Sequence, residues 1–286
     1  MEDALSSSRA TRLLILSRGA GSMSPQVEAK LRSAFADYLI VALDHRQDFE
    51  KLISPRARVV VAGGDGSIGT VARMLAGTMH PLGILSLGTF NNFAGALGLP
   101  TGLDDAIQVV KKGRARAMTL GRVNGKVFLQ ACAIGLFGET IALGESAKDR
   151  AAGTVAPLLR KVVAAKPFRY ELAGDLEGSG TAMSLVFTNT FSIGSQLPVS
   201  DTTPADPYLE FSVHAGKTRL DIVGRALASA LLAKHREEGS GQVFRFKTLR
   251  VTTKPRVRVY ADSVVAGRTP ATISAEARSL RVILPR

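Results

Sequence analysis

The residues best suited to chemistry lie in the stretch 59–100, VVVAGGDGSIGTVARMLAGTMHPLGILSLGTFNNFAGALGLP. It holds two glycine-rich turns: Gly63-Gly64-Asp65-Gly66-Ser67, and Gly88-Thr89 followed by Asn91-Asn92. Glycine permits positive φ and lets backbone N–H groups approach a ligand closely. A helix that opens at such a turn adds partial positive charge and unpaired donors. Together these make a phosphate cradle, and two in tandem suit a polyphosphate. An ionised Asp65 cannot donate to phosphate; it suits a metal, a ribose hydroxyl or a helix cap. A lone GGDG is also an ordinary tight turn. The second turn argues against that plainer reading.

Strands and helices must hold these turns in place. Residues 59–61 form a β-branched run that reads as a buried strand. Ile68, Val71, Ala72 and Leu75 then recur at helical spacing. The second unit repeats the logic, with a strand over 82–87 and a helical continuation over 91–97. Upstream, 13–16 reads as a strand, followed by a third glycine turn, Ser17-Arg18-Gly19-Ala20-Gly21-Ser22. Ser24-Pro25 opens a helix whose stripe is Val27, Leu31, Ala34 and Phe35. A strand over 38–43 and a polar segment over 44–55 with a short helix candidate complete the approach. Leu103, Ala106, Ile107 and Val110 give one more helix, over 103–112. This strand–helix alternation predicts a doubly wound, mostly parallel α/β sheet, with ligands at the carboxyl ends of its strands.

Past residue 113 the pattern changes to strands and hairpins. Runs at 120–123 and 127–131 flank Asn124-Gly125, a strong hairpin signal. Further strands are expected at 168–173, 183–188, 209–214, 242–252 and 256–261, with helical patterns at 154–165 and 220–234. These features predict a β-sandwich-like C-terminal domain over 119–271. The first domain spans 1–118, and a closing strand at 280–284 would return to it and complete it through 272–286.

The chain has 286 residues and a net charge of +13. Residues 1–120 carry 14 basic and 10 acidic side chains, while 121–286 carry 23 and 14. Between 234 and 258 there are eight Lys or Arg against two Glu. Arg245 and Lys247, and again Arg256 and Arg258, alternate with apolar residues, which places them on one strand face. Such a face is either an anionic-membrane docking surface or an ordinary solvated one. Nucleic acid is not expected as a partner, because aromatic residues are only 6% and Trp is absent. No uninterrupted apolar run reaches the roughly 18 residues of a spanning helix. The N-terminus lacks the apolar core of a secretory signal, so cytoplasm is the expected compartment. Cys132, the single cysteine, lies between alanines and reads as packing.

GGDGS followed by LGTFNNFAGALGLP resembles the diacylglycerol kinase catalytic domain, whose usual forms are GGDGT and LPLGTxNDFARxLGxP. That family includes bacterial lipid kinases and sphingosine kinases. NAD kinases share the first motif, but the second motif and the β-rich remainder favour the lipid side. The resemblance implies ATP and Mg²⁺, phosphoryl transfer to a lipid hydroxyl such as that of diacylglycerol, and attachment to the inner face of the membrane. A homodimer is left open. It implies that Gly63, Gly64, Asp65, Gly66, Ser67, Gly88, Thr89, Asn91 and Asn92 face the nucleotide. Arg18 joins them from a turn that is usually Asn-Pro-x-Ser-Gly. The plainer roles are a helix N-cap for Thr89 and a turn former for Asn91.

The chain departs from the family at several acidic positions. Asn92 replaces the usual Asp, Thr119 stands where an Asp often precedes Leu-Gly, and Gln130 replaces Asn in Phe-x-Asn. Asp206 survives in the metal-site segment and is the candidate Mg²⁺ ligand, or caps a turn. Near Thr269-Pro270 the family's Asp-Gly-Glu becomes Asp262-Ser263-Val264, so valine occupies the position of the proposed base. Asp65 and Asp262 remain as candidate catalytic carboxylates, with Asp262 otherwise a hairpin residue. Three functions are thereby expected in order: an ATP-dependent lipid kinase, a non-catalytic nucleotide and lipid binder, and a kinase of a soluble hydroxyl compound.

Overall fold

Strands apolar on both faces pair in parallel and hide under helices, which is how the N-terminal third of this chain is built. The computed structural model describes residues 9–44, 49–139, 165–190, 192–193, 197–198, 200–214 and 243–286. The helical patterns over 154–165 and 220–234 lie, but for Ala165, outside these residues. The chain divides into two compact units, Met1–Met118 with Arg278–Arg286, and Thr119–Ala277.

In the first unit, β1 (Ala10–Leu16), β2 (Leu39–Ala42), β3 (Ile53–Gly63) and β4 (Pro81–Ser86) are parallel, in the order β2-β1-β3-β4. The final strand, which ends at Leu284, joins β4 in parallel through Arg281 and Val282. Helices α1 (Pro25–Ala34), α2 (Asp65–Leu75), α3 (Asn92–Ala96) and α4 (Leu103–Lys112) connect the strands. One core gathers Leu14, Leu16, Val60, Ala62, Leu85 and Leu87 with Leu31 and Phe35 of α1 and Ile107 and Val110 of α4. α2 buries Ile68, Val71, Ala72 and Leu75 and packs on β3 and β4 apart from that cluster, so helices cover both faces. β3 starts six residues before the expected 59–61 run: residues 53–58, with Pro55 and a positive φ at Arg56, hide it from an alternation count. Within the polar segment 44–55, the described part holds a 3-10 turn at Phe49–Leu52.

In the second unit the described strands pair antiparallel. β5 (Arg114–Val123) and β6 (Lys126–Phe128) form the hairpin around Asn124-Gly125, whose φ values of 47° and 80° suit that dipeptide. β7 (Ala131–Gly135), β10 (Ser184–Thr188), β13 (Leu209–His214), β14 (Val243–Phe246), β16 (Arg258–Ala261) and β17 (Val264–Arg268) make a six-stranded sheet in the order β14-β13-β10-β7-β16-β17. β8 (Phe168–Gly174), β9 (Gly178–Ala182), β15 (Thr248–Lys254) and the start of β18 (Ala271–Leu284) pair as β9-β8-β15-β18. A small ribbon joins β11 (Ser192–Ile193) to β12 (Leu197–Pro198). Side chains from both larger sheets share one core, including Cys132, Ile134, Phe187 and Phe211 from one and Phe168, Leu249, Val251 and Ile273 from the other.

Two expected strands prove to be broken. The run 127–131 stops at Phe128 and resumes at Ala131 in the other sheet. The run 242–252, described from Val243, breaks at Lys247, again with a change of sheet. Each break sits on an aspartate from elsewhere in the chain. Asp262 accepts backbone N–H groups from Leu129 (3.1 Å), Gln130 (2.9 Å) and Ala131 (3.3 Å). Asp175 accepts those of Lys247 (2.7 Å) and Thr248 (3.0 Å). A carboxylate that takes several amides stabilises a local bend in which those amides cannot pair along a ladder. Lys247 therefore lies at a bend and does not share a strand with Arg245.

Candidate functional site

Three turns meet at the carboxyl ends of β1, β3 and β4. Ser17 N–H donates to the Ala62 carbonyl (2.9 Å), Leu87 N–H to Gly63 (2.9 Å) and Ser22 N–H to Leu87 (3.0 Å). Ser67 Oγ donates to Ser17 Oγ at 2.8 Å, which ties the first turn to GGDGS. The backbones of Gly64 and Gly88 abut. A Cβ on Gly88 would stand 2.8 Å from the Gly64 Cα and 2.9 Å from Asn91 Oδ1, so only glycine fits. Asn91 closes its turn from both sides. Its Oδ1 accepts from Gly88 N–H (3.0 Å), and its Nδ2 donates to the Gly88 carbonyl (2.9 Å). Asn91 is in the left-handed region, with φ 52°, and is the N-cap residue of α3, a place Thr89 does not take. Thr89 is exposed; Asn92, the first residue of α3, is buried.

Asp65 is the first residue of α2, and the N-cap Gly64 has no side chain to satisfy the first-turn amides. An anion beside those amides gains both hydrogen bonds and the helix dipole. A cleft of about 610 Å³ opens beside them, lined by Leu16, Ser17, Arg18, Gly19, Ala42, Leu43, Gly66, Ser67 and Thr70. Arg18 is well exposed and lies 3.6 Å from Glu28. The Arg32 side-chain hydrogen bond, and secondarily Arg18, hold the Glu28 carboxyl below its usual range. Of the residues named from the sequence, Ser17, Arg18 and Gly19 of the first turn and Gly66 and Ser67 of the second line the cleft. Gly63, Gly64, Asp65, Gly88, Thr89, Asn91 and Asn92 build the adjoining pair of turns. Ala42, Leu43 and Thr70 reach the cleft without a motif to mark them, since they are placed only by β2 ending there and by the first turns of α2.

The second unit's candidates are engaged locally. Asp206 Oδ2 accepts from Thr203 N–H (2.8 Å), Thr203 Oγ1 (3.0 Å) and Thr202 Oγ1 (3.5 Å). Among the described residues, no three His, Cys, Asp or Glu side chains converge as a metal site. Through Oδ2, Asp206 caps a turn, the plainer of the two roles read from the sequence. Asp262, at φ 50°, is the first of two residues linking β16 to β17. The segment its carboxylate holds is gripped from the other side by Asn189, which sequence reasoning missed. Asn189 Nδ2 donates to the carbonyls of Thr119 (2.9 Å) and Leu129 (3.0 Å), and its N–H to Gln130 (2.8 Å). Burial, then the Asp262 charge, pushes the Cys132 thiol well above its usual range, so this cysteine packs and is not a nucleophile.

The sequence profile of the diacylglycerol kinase catalytic domain matches residues 17–123. A diacylglycerol kinase of Mycobacterium tuberculosis is 31% identical over 243 residues, covering 80% of this chain and 77% of that protein. The chain belongs to the diacylglycerol kinase family. An uncharacterized Synechocystis protein is 24% identical over 240 residues, which are 79% of this chain and 54% of that protein, so the chain spans about half of that relative. The crystal structure of a diacylglycerol kinase from Bacillus anthracis superposes with a TM-score of 0.72 at 21% identity, covering 96% of each chain. It shares the fold, an N-terminal α/β region and a sheet-rich C-terminal region. Within the family, this chain supports a lipid kinase whose glycine turns are intact. Of the positions where the resemblance expects acidic residues, Asn92 and Thr119 are buried and Val264 is exposed.

Proposed function

We propose that this protein is an ATP-dependent lipid kinase that transfers the γ-phosphoryl group to a hydroxyl of a diacylglycerol-like lipid at the cytoplasmic face of a membrane. The observation that carries this reading is the junction of three glycine turns, with Gly64 against Gly88, beside a cleft holding Arg18 and the open first turn of α2. That site offers backbone donors, a helix dipole and one exposed guanidinium, a set suited to a nucleoside triphosphate. Positioning and charge stabilisation dominate phosphoryl transfer. The lipid hydroxyl oxygen bonds to the γ-phosphorus as the bond to the β–γ bridging oxygen breaks. ADP leaves with that electron pair, and the hydroxyl proton passes to a carboxylate or to water. Mg²⁺ would arrive on the nucleotide phosphates, since it usually takes one or two carboxylates plus phosphates. Asp65 organises the nucleotide end in this scheme.

A non-catalytic nucleotide and lipid binder is the second reading, favoured by the commitment of the Asp262 carboxylate to three backbone amides. Purified protein with radiolabelled ATP, Mg²⁺ and mixed micelles carrying a panel of lipids tests the choice. Labelled lipid is expected, together with its loss in Asp65→Asn. Tight nucleotide binding without labelled lipid would establish the binder. A large gain of turnover in Val264→Glu would then identify a chain that had lost its base. Activity on a hydroxyl compound without any lipid interface would point to a soluble acceptor.

A further inference from the structure

Just past the Asp262-Ser263 turn of the β16–β17 hairpin stand two adjacent valines, Val264 and Val265, exposed at 46% and 47%. Neighbouring strand residues point to opposite faces. Each face therefore carries one valine that is nearly half exposed, although their cross-strand partners Ala261 and Tyr260 are buried. β17 is the edge strand of its sheet, and side chains of the Asn124-Gly125 hairpin bond its carbonyls, Asn124 that of Ala266 (3.1 Å) and Lys126 that of Val265.

The charges around the tip are of one sign. Arg258 stands directly across from Arg268 in the hairpin register. Like charges in that position repel and destabilise the pair unless an anion lies between or over them. Arg268 Nη1 donates to the backbone carbonyl of Arg256 (3.2 Å), itself a third exposed basic residue of the hairpin stem. Lys126 Nζ sits on the Val265 carbonyl (2.9 Å). The sole acidic residue of 256–268 is Asp262. Its carboxylate is turned inward onto the amides of 129–131. The hairpin thus presents an apolar tip on a stem of cations with its anion withdrawn.

We infer that this hairpin is the bilayer-docking element: Val264 and Val265 enter the headgroup–acyl boundary while Arg256, Arg258, Arg268 and Lys126 meet anionic lipid phosphates. Apolar side chains ahead of basic ones match the depth order of an anionic leaflet, with hydrocarbon below phosphate. The choice of a bilayer rests on the lipid-kinase reading. The exposed guanidiniums and the open valines do not.

The test uses the full chain without nucleotide and vesicles of phosphatidylcholine with or without phosphatidylglycerol. Binding is expected only with phosphatidylglycerol. Arg258→Gln/Arg268→Gln should weaken it about tenfold or more and flatten its salt dependence, each cation near a surface being worth about fivefold. Val264→Ser/Val265→Ser should weaken it about tenfold with the salt dependence kept. The chain has no Trp, so Val265→Trp supplies a single reporter, and its emission should shift to the blue on vesicle addition. Vesicle binding that all of these variants leave unchanged, or an unshifted Trp, overturns the proposal. Hairpin-dependent binding to a DNA duplex or to a second copy of the chain, without vesicle binding, also overturns it. Turnover on micellar diacylglycerol without vesicle docking removes only this inference. Hairpin docking without turnover removes only the kinase reading.

Discussion

The Asp262 carboxylate accepts the Gln130 backbone N–H at 2.9 Å across 132 residues of chain. The contact stands where the strand run 127–131 leaves one sheet for the other. Asp175 does the same at Lys247 and Thr248, where the chain crosses back. These two crossings between the sheets of the second unit are therefore each held by a side-chain carboxylate, and one of them is the residue that the sequence offers as a base.

If Asp262 is a clasp, Asp262→Ala should lower unfolding free energy by about 2–3 kcal/mol, because amides at a largely buried turn lose their acceptor. Asp262→Asn keeps an acceptor oxygen and should cost about 1 kcal/mol. Urea denaturation of the three proteins measures this. Equal stability of all three would show that the clasp carries no weight.

Asn189 is fully buried and its amide serves two carbonyls. Asn189→Ala should cost about 2–4 kcal/mol. Asn189→Asp should cost more, since it sets a carboxylate against two carbonyl acceptors with nothing to donate. Thermal unfolding followed by circular dichroism would rank them. An Asp variant as stable as wild type contradicts the bonding described.

Gly88→Ala places a methyl 2.8 Å from the Gly64 Cα. The two turns must part, at a cost of about 1–3 kcal/mol of strain, and ATP-analogue affinity measured by calorimetry should fall at least tenfold. Gly66→Ala meets nothing within 4 Å and lies inside α2. It should leave the fold as stable or raise stability by about 0.5–1 kcal/mol. Similar melting curves for the two variants would refute the close approach of the turns.

Acid should loosen the second crossing. Backbone hydrogen bonds from Thr248 and Lys247 hold the Asp175 carboxyl below its ordinary value of 3.8. A pKa lowered by folding gives stability that is present above the unfolded value and is lost as pH falls through the folded one. Melting temperature from pH 5 downward should therefore drop more steeply in wild type than in Asp175→Asn, with the difference confined to the region below about 4. Parallel curves would remove Asp175 from the acid response.

The sequence alone determined the parallel half of this protein and its glycine turns. Val59 to Val61 and Leu82 to Leu85 are apolar without a break, glycines follow each, and helical spacing at Ile68, Val71 and Leu75 comes next. All of these are local patterns, read within a window shorter than the element. The Asn124-Gly125 hairpin was legible for the same reason, since its turn is set by two adjacent residues. Tertiary structure alone decided that Gly64 and Gly88 touch, that Ser17 and Ser67 bond, and that Leu43 and Thr70 border the same cleft. It alone turned Asp206 onto Thr203 and Asp262 onto Leu129, Gln130 and Ala131. A carboxylate carries the same letter whether it takes a proton, a metal or three amides. Which of these it meets is set by residues far along the chain, brought near by sheet pairing and core packing.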